Sequence, residues 1–233
     1  MKLSIIIPAY NEERRIEKTL TTYVNYFGPK LGNQYEIVVV CDGCKDKTAD
    51  IVKNFSKEHG FVRHSEPQNK LGKGGGVLKG FELARGEIIG FVDADDAFDI
   101  NGVGRLVELV ESGYDCAIAS KWIGRSFLQV TEPFSRKIAS RGWNFILKIL
   151  FGLKVKDAQA GAKFFKREVV KSLPPIRCSG FEFDAELLWH ISQKGFTIKE
   201  LYIPTTHVEG STFKMRQSVN MLINILKLRL NIL

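Results

Sequence analysis

Asp93 and Asp95 stand two residues apart in Val92-Asp93-Ala94-Asp95, at the end of the hydrophobic run Glu87-Ile88-Ile89-Gly90-Phe91-Val92. A strand that delivers two carboxylates onto its exposed tip can hold a hard divalent cation. Mg²⁺ and Mn²⁺ both suit, because they take oxygen ligands and leave coordination positions to phosphates and water. By itself an acidic pair of this kind is more often a solvated turn, so its meaning depends on the residues that share its position in the fold.

Leu3-Ser4-Ile5-Ile6-Ile7 is a β-prone apolar run stopped by Pro8, followed by Ala9-Tyr10-Asn11-Glu12-Glu13 and a helical pattern from Arg14 to about Tyr26. A second run, Tyr35 to Val40, ends in Cys41-Asp42-Gly43-Cys44 and Asp46-Lys47-Thr48, where another helix begins. A fifth apolar strand ends at Ala119-Ser120-Lys121-Trp122. Strands alternating with helices from residue 3 to about 120 predict an α/β fold with a mostly parallel central sheet flanked by helices. In such sheets ligands bind beyond the carboxyl ends of the strands. Tyr10, Glu12, Asp42, Asp93 and Asp95 are therefore expected on one edge. Further on, Gly161 to Lys166 reads as a strand and Arg167 to Leu173 as a short helix stopped by Pro174-Pro175. A helix from Phe181 to about Lys194 and a strand from Thr197 to Ile203 follow.

Taken together, Ile7-Pro8-Ala9-Tyr10-Asn11-Glu12, Asp42-Gly43 with Asp46-Lys47-Thr48, Asn69-Lys70-Leu71-Gly72-Lys73-Gly74-Gly75-Gly76 and Asp93-Ala94-Asp95 resemble the inverting GT-A glycosyltransferases of family 2. Ser135-Arg136-Lys137, Ser140-Arg141-Gly142, Asp157-Ala158-Gln159-Ala160-Gly161 and Glu209-Gly210-Ser211 continue the match toward the polyprenyl-phosphate (dolichyl-phosphate) sugar transferases. The resemblance implies a GT-A nucleotide-diphospho-sugar transferase fold over residues 1–212, with a nucleotide-binding half at 1–120 and an acceptor half at 121–212. It implies a donor pocket of Pro8, Ala9, Tyr10, Glu12, Asp42, Asn69, Lys73, Gly74 and Ala94, with Asp93 and Asp95 on Mg²⁺ or Mn²⁺. The Gly-Lys-Gly-Gly form is more similar to dolichyl-phosphate glucosyltransferases than to the mannosyltransferases, which points to a UDP-sugar. GDP-mannose as donor, a polysaccharide as acceptor and a non-catalytic nucleotide-sugar-binding protein are the alternatives.

Departure of a sugar leaves negative charge on phosphate oxygens, so cations must stand where that charge develops. Lys121 is placed to face those phosphates, although the family often carries arginine there and lysine lacks the bidentate fork. Ala97 replaces a glutamine common in the mannosyltransferases, and Asp96 or Asp99 is the available substitute. On the acceptor side a lipid phosphate, with a second pKa of about 6, is already largely ionised and needs cations more than a base. Arg136, Lys137 and Arg141 supply them, and Gln159, Gly161 and Lys214 are expected to complete the pocket. Asp184 and Glu186 match an acidic pair that the family carries near the sugar.

The remaining motifs weigh against other classes. Gly72 to Gly76 reads as an anion-approaching loop before a helix from Val77 to Ala84, but it fits neither the P-loop nor the dinucleotide spacing. Cys41-x-x-Cys44 lacks the second ligand pair of a zinc site, and its Asp-Gly turn is foreign to a thioredoxin-like dithiol. The two cysteines therefore read as incidental flanks of Asp42. Of the histidines, His207 precedes Glu209-Gly210-Ser211 and is placed to reach the rim.

The chain has 233 residues, a formal net charge of +8 and 44% hydrophobic residues. Such charge favours anionic lipid or nucleic acid, at about 1 kcal/mol per well-placed Lys or Arg near an anionic leaflet. Nucleic acid is disfavoured because no recognisable binding module carries the basic residues. Residues 213–233 hold Lys214, Arg216, Lys227 and Arg229 beside Met221-Leu222-Ile223-Asn224-Ile225-Leu226. As a helix, Val219 to Leu233 would run about 22 Å, short of a ~30 Å hydrocarbon core, so it reads as an amphipathic interfacial helix. Ile138 to Phe151 is a second candidate. With no basic leader or cleavage pattern at the start, the expected location is the cytoplasm, peripheral on the cytoplasmic face of a membrane, with a membrane-protein partner as an option.

Overall fold

The structure, a computed structural model, describes residues 1–130, 132–205 and 215–232. The described residues form a seven-stranded sheet in the order β3-β2-β1-β4-β6-β5-β7. The strands are β1 (Leu3–Ala9), β2 (Tyr35–Cys41), β3 (Val62–Ser65), β4 (Ile88–Val92), β5 (Cys116–Ser120), β6 (Ala162–Lys166) and β7 (Ile198–Tyr202). β6 is antiparallel to both its neighbours, β4 and β5, and the other pairings are parallel. The mostly parallel α/β sheet expected from the sequence is thus present.

Both faces of the sheet are covered, which is why its strands are apolar at nearly every position. Ile5, Ile7, Ile37 and Val39 face one core with Ile16, Leu20, Tyr23 and Phe27 of α1 (Ile16–Leu31), Val52 of α2 (Thr48–Glu58) and Val103, Leu106 and Val110 of α4 (Ile100–Glu111). Ile6, Val38 and Val40 face the other, with Val77 of α3 (Gly72–Leu83), Leu147 and Phe151 of α5 (Phe134–Phe151) and Val169 of α6 (Arg167–Ser172). Leu187 and Leu188 of α7 (Phe183–Gln193) and Ile225 and Leu228 of α8 (Met215–Arg229) complete that second core.

Three elements differ from the sequence reading. β1 continues through Pro8 to Ala9, paired with Val40 and Cys41 of β2. Its pairing with β4 has already ended at Ile6, so the missing proline N–H is tolerated where one ladder has stopped. α1 passes Gly28-Pro29 and ends at Leu31, because Phe27 is buried and packs against Tyr35 at a ring separation of 6.3 Å. Finally, Gly72 to Gly76 is the first turns of α3 and not a loop before it.

What this topology does for a site is specific. β1 has β2 on one side and β4 on the other, so the connections leaving β1 and β4 diverge and open a crevice above their carboxyl ends. Tyr10 follows β1 and Asp93 follows β4, which places both on that crevice.

Candidate active site

Asp93 emerges from β4 with its backbone N–H donating to the Gly161 carbonyl at 2.9 Å. Its carboxylate accepts the Lys73 ammonium from α3 at 2.7 Å. Ala94 is buried, and its carbonyl accepts the Thr19 hydroxyl of α1 at 2.8 Å. The Asp-x-Asp turn is therefore fastened on both sides, and Asp95 keeps a single backbone donor, Ala97 N–H at 3.2 Å. Burial raises the Asp95 pKa, and the neighbouring Asp93 charge raises it further. Glu12 behaves alike: burial and the Asp95 and Asp93 charges raise its pKa, against Arg15, whose Nε donates to it at 2.7 Å.

Asp93 is thus paired with Lys73 and Glu12 with Arg15, while Asp95 has no salt bridge among the described residues. The oxygens of Asp93 and Asp95 are hard ligands that suit Mg²⁺ or Mn²⁺. No group of three or more His, Cys, Asp or Glu side chains arranged to hold a metal occurs among the described residues, so a cation on Asp93 and Asp95 would draw its other ligands from phosphate and water. The two expected substitutes for the missing glutamine are otherwise engaged. Asp99 caps α4 by accepting Gly102 N–H at 2.8 Å, and Asp96 pairs with Lys18 at 3.2 Å.

Behind Asp93 runs a line of alternating charge. Lys73 also feels Asp184, and these acids outweigh the burial that opposes its charge, leaving its pKa raised. Asp184 accepts Lys163 Nζ at 2.6 Å with both side chains almost wholly buried. Lys163 donates as well to the Ala160 carbonyl at 2.6 Å and lies over the Phe91 ring. Asp157, held protonated more readily by burial, sits among Lys121, Lys163 and Glu132 and accepts Lys121 N–H at 3.0 Å. Lys121 Nζ closes the line on Glu132 at 3.0 Å.

The buried Asp42 carboxylate accepts Leu71 and Gly72 N–H at 2.6 and 2.8 Å, tying β2 to the start of α3. Lys70 lies 3.4 Å from the centre of the Tyr10 ring, and Asn69 is exposed beside it. An added Cβ on Gly74 would overlap Phe183, and Pro8 lies against Gly76. The glycine run thus lets α3 pack closely on its neighbours.

Acceptor-side placements are more varied. Arg141 stacks on Trp122, the residue after Lys121, at 4.7 Å, while Trp122 donates to Ser140 at 3.0 Å. Arg136 is exposed on the same helix, and Gln159 is half-buried in the turn that carries Gly161. Glu186 turns away from the site to accept Arg177 and Cys178 N–H. His207, Glu209, Gly210, Ser211 and Lys214 lie outside the described residues.

Sequence reasoning missed Lys163, Glu132 and Thr19. It also missed how tightly Gly161 is specified, since a Cβ there would overlap the Asp93 carboxylate. Gly161→Ala is expected to lower transfer about a hundredfold, as misplacing a reacting group by about 1 Å does, with little change in melting temperature. Steady-state rates and a thermal melt together check this.

The comparisons with known proteins agree with this geometry. The Glycosyl transferase family 2 model matches residues 4–173. Glycosyltransferase AglD of Haloferax volcanii is 32% identical over 86% of this chain, which spans 32% of that protein. Dolichyl-phosphate β-glucosyltransferase ALG5D of Trichomonas vaginalis is 30% identical over 99% of this chain and 75% of its own length. The Saccharomyces cerevisiae dolichyl-phosphate β-glucosyltransferase is 32% identical over 90% of this chain and 68% of its own. Among solved structures, glucosyl-3-phosphoglycerate synthase of Mycobacterium tuberculosis, in complex with Mn²⁺ and UDP-glucose, superimposes with a TM-score of 0.73 at 19% identity. That likeness covers 100% of this chain and 80% of the synthase, and it supports the GT-A fold. With the family model matching most of the length and relatives 30% and 32% identical over nearly all of it, the chain belongs to glycosyl transferase family 2.

Proposed function

We propose that this chain transfers glucose from UDP-glucose to a dolichyl or polyprenyl phosphate, with inversion at the anomeric carbon. The observation that carries the reading is the Asp93-Ala94-Asp95 turn at the tip of β4, with Asp93 held by Lys73 and Asp95 without a salt bridge among the described residues. The named relatives that are dolichyl-phosphate β-glucosyltransferases support the choice of sugar and acceptor. A bound Mg²⁺ or Mn²⁺ would supply Lewis-acid neutralisation of the departing diphosphate. Asp93 and Asp95 would hold it, and Thr19 and Gly161 keep their backbone from moving.

In the reaction the bond between the anomeric carbon and the UDP oxygen breaks, and an acceptor phosphate oxygen forms the new one from the opposite face. That oxygen is already anionic near neutral pH, so the chain needs to position it, not to deprotonate it. Arg136, Lys137 and Arg141 are the cations offered on that side, with Gln159 in the turn that carries Gly161. Lys121 would release Glu132 to face the departing diphosphate.

A lipid acceptor requires access to a membrane. Phe134, Ile138, Phe145 and Ile149 recur at helical spacing and are exposed on α5, as are Val219, Ile223, Leu226 and Leu230 along α8 and its last turn. Arg229 of α8 donates to the Leu150 carbonyl of α5 at 2.9 Å, so the two helices are neighbours. Met221, Ile225 and Leu228 meanwhile bury the other side of α8 in the core. The helix is thus both a core element and an exposed apolar surface, with Arg136, Lys148, Lys227 and Arg229 available for lipid phosphates. No described helix is long and apolar enough to cross a membrane. The reading is therefore peripheral attachment to the cytoplasmic face, with a membrane-protein partner as a further option.

The test is to supply vesicles containing polyprenyl phosphate, Mn²⁺, and radiolabelled UDP-glucose or GDP-mannose in parallel. An acidic glucolipid from UDP-glucose is expected. Product from GDP-mannose alone would overturn the donor assignment, and tight UDP binding without any product would overturn the catalytic one.

A further inference from the structure

Cys41 and Cys44 flank Asp42 and pack in the same apolar core. The spacing is closed by a tight reversal: Gly43 has a left-handed φ of 67°, and its N–H donates to the Cys41 carbonyl at 3.1 Å. Cys41, the last residue of β2, is buried at 2% exposure, whereas Cys44 is partly open to solvent. Cys44 is also surrounded by stabilising groups. Its thiol donates to the Ala9 carbonyl at 3.4 Å. The neighbouring Cys41 and the Asn11 N–H lower the Cys44 pKa to about 7 against burial and the Asp46 charge. The neighbouring Cys44 and burial move Cys41 the other way. The other two cysteines, Cys116 and Cys178, are buried, and that burial raises both.

This is the division of labour that thiol–disulfide exchange needs: one accessible thiolate to attack and one adjacent thiol to resolve. We propose that Cys44 and Cys41 form an exchange site for small-molecule disulfides, and that the bridge it produces weakens nucleotide-sugar binding. Cys44 thiolate attacks one sulfur of the disulfide, forms a mixed disulfide and expels the first thiolate. Cys41 then gives its proton to that thiolate or to water, attacks the Cys44 sulfur and expels the second. Two electrons pass from the cysteine pair to the small disulfide, which leaves as two thiols.

The link to donor binding, which rests on the donor-pocket reading above, is mechanical. Cys44 leans on the segment that leads to Tyr10 and Glu12: its thiol donates to the Ala9 carbonyl at 3.4 Å, and the next residue, Lys45, donates its N–H to the Asn11 side chain at 2.8 Å. Asp42, caught inside the four-residue bridge, is the anchor for the Leu71 and Gly72 amides at the start of α3. Drawing Cys44 onto Cys41 therefore strains both walls of the pocket. The sequence alone had made these cysteines incidental; their place in one core cluster and their unequal exposure change that.

The experiment treats the full chain with oxidised glutathione and follows it by intact and peptide mass spectrometry, with UDP affinity measured in Mn²⁺ alongside. The wild type should lose two hydrogens in a Cys41–Cys44 bridge. Cys41→Ser should stop at a glutathione adduct on Cys44, and Cys44→Ser should leave residue 41 unmodified. UDP affinity of the bridged protein should fall about tenfold (about 1.4 kcal/mol) and return on reduction with dithiothreitol, while oxidant leaves Cys44→Ser unaffected. A wild-type chain that retains glutathione on Cys44, or that reacts first at Cys116 or Cys178, overturns the exchange site. A bridge formed with UDP affinity unchanged overturns the control of binding. Should the reduced chain fail to bind UDP at all, the donor-pocket reading and the control fall together, while the mass change still decides the exchange chemistry.

Discussion

Asp95→Asn is expected to cut sugar transfer about a thousandfold, equivalent to about 4 kcal/mol of transition-state stabilisation. The substitution keeps the shape of the side chain and its contact with Ala97 N–H but removes the charge that burial and Asp93 already disfavour. The apo protein should therefore melt at the same temperature or slightly higher. The loss falls on the chemistry because Asp95, unlike Asp93, has no lysine at salt-bridge distance among the described residues, so its charge is the one free to meet a cation. Initial rates across a Mn²⁺ series check this: saturating metal should fail to restore the variant. A variant within threefold of wild type would remove Asp95 from the reaction.

The second large effect concerns stability. Lys163 has no solvent exposure, and Asp184 is its buried carboxylate partner. Asp184→Leu leaves that ammonium inside the sheet without its counter-charge, and breaking a buried pair in this way costs about 3–5 kcal/mol. Urea unfolding measures the loss as a lower midpoint. Lys163→Met combined with Asp184→Leu should recover most of it, because the uncompensated charge is then gone. Transfer should stay impaired even in the stable double variant, since Asp184 also acts on Lys73 behind Asp93. A double variant as unstable as Asp184→Leu would mean that shape, and not charge, fixes this position.

Much of the sheet could be read from the chain because its strands are apolar runs that end abruptly in polar residues. Ile5 to Ile7 before Tyr10, Val38 to Val40 before Asp42 and Ile88 to Val92 before Asp93 each mark a strand and its functional tip. The crevice follows from the rule for parallel sheets. What stayed hidden depends on partners distant in sequence. Lys163 reads as a surface lysine in Ala-Lys-Phe-Phe-Lys, and only the fold brings Asp184, 21 residues on, to meet it. Thr19 looks like one of several helix-surface threonines until α1 crosses Ala94, 75 residues away. The glycines of α3 read as a loop because glycine disfavours helices, yet their lack of side chains lets Phe183 and the Ser179 and Gly180 carbonyls approach the helix. α8 shows the same limit. Its composition revealed the exposed apolar stripe, but not that Met221, Ile225 and Leu228 belong to the core.

The central claim is that twin carboxylates at the tip of β4 hold a divalent cation against the donor diphosphate. Anomalous diffraction from crystals grown with Mn²⁺ and UDP tests it most directly. The account predicts one manganese peak about 2.1–2.2 Å from an oxygen of Asp93 or Asp95, shared with the UDP phosphates. UDP bound in the crevice with its phosphates away from both aspartates, or manganese held elsewhere, would contradict it.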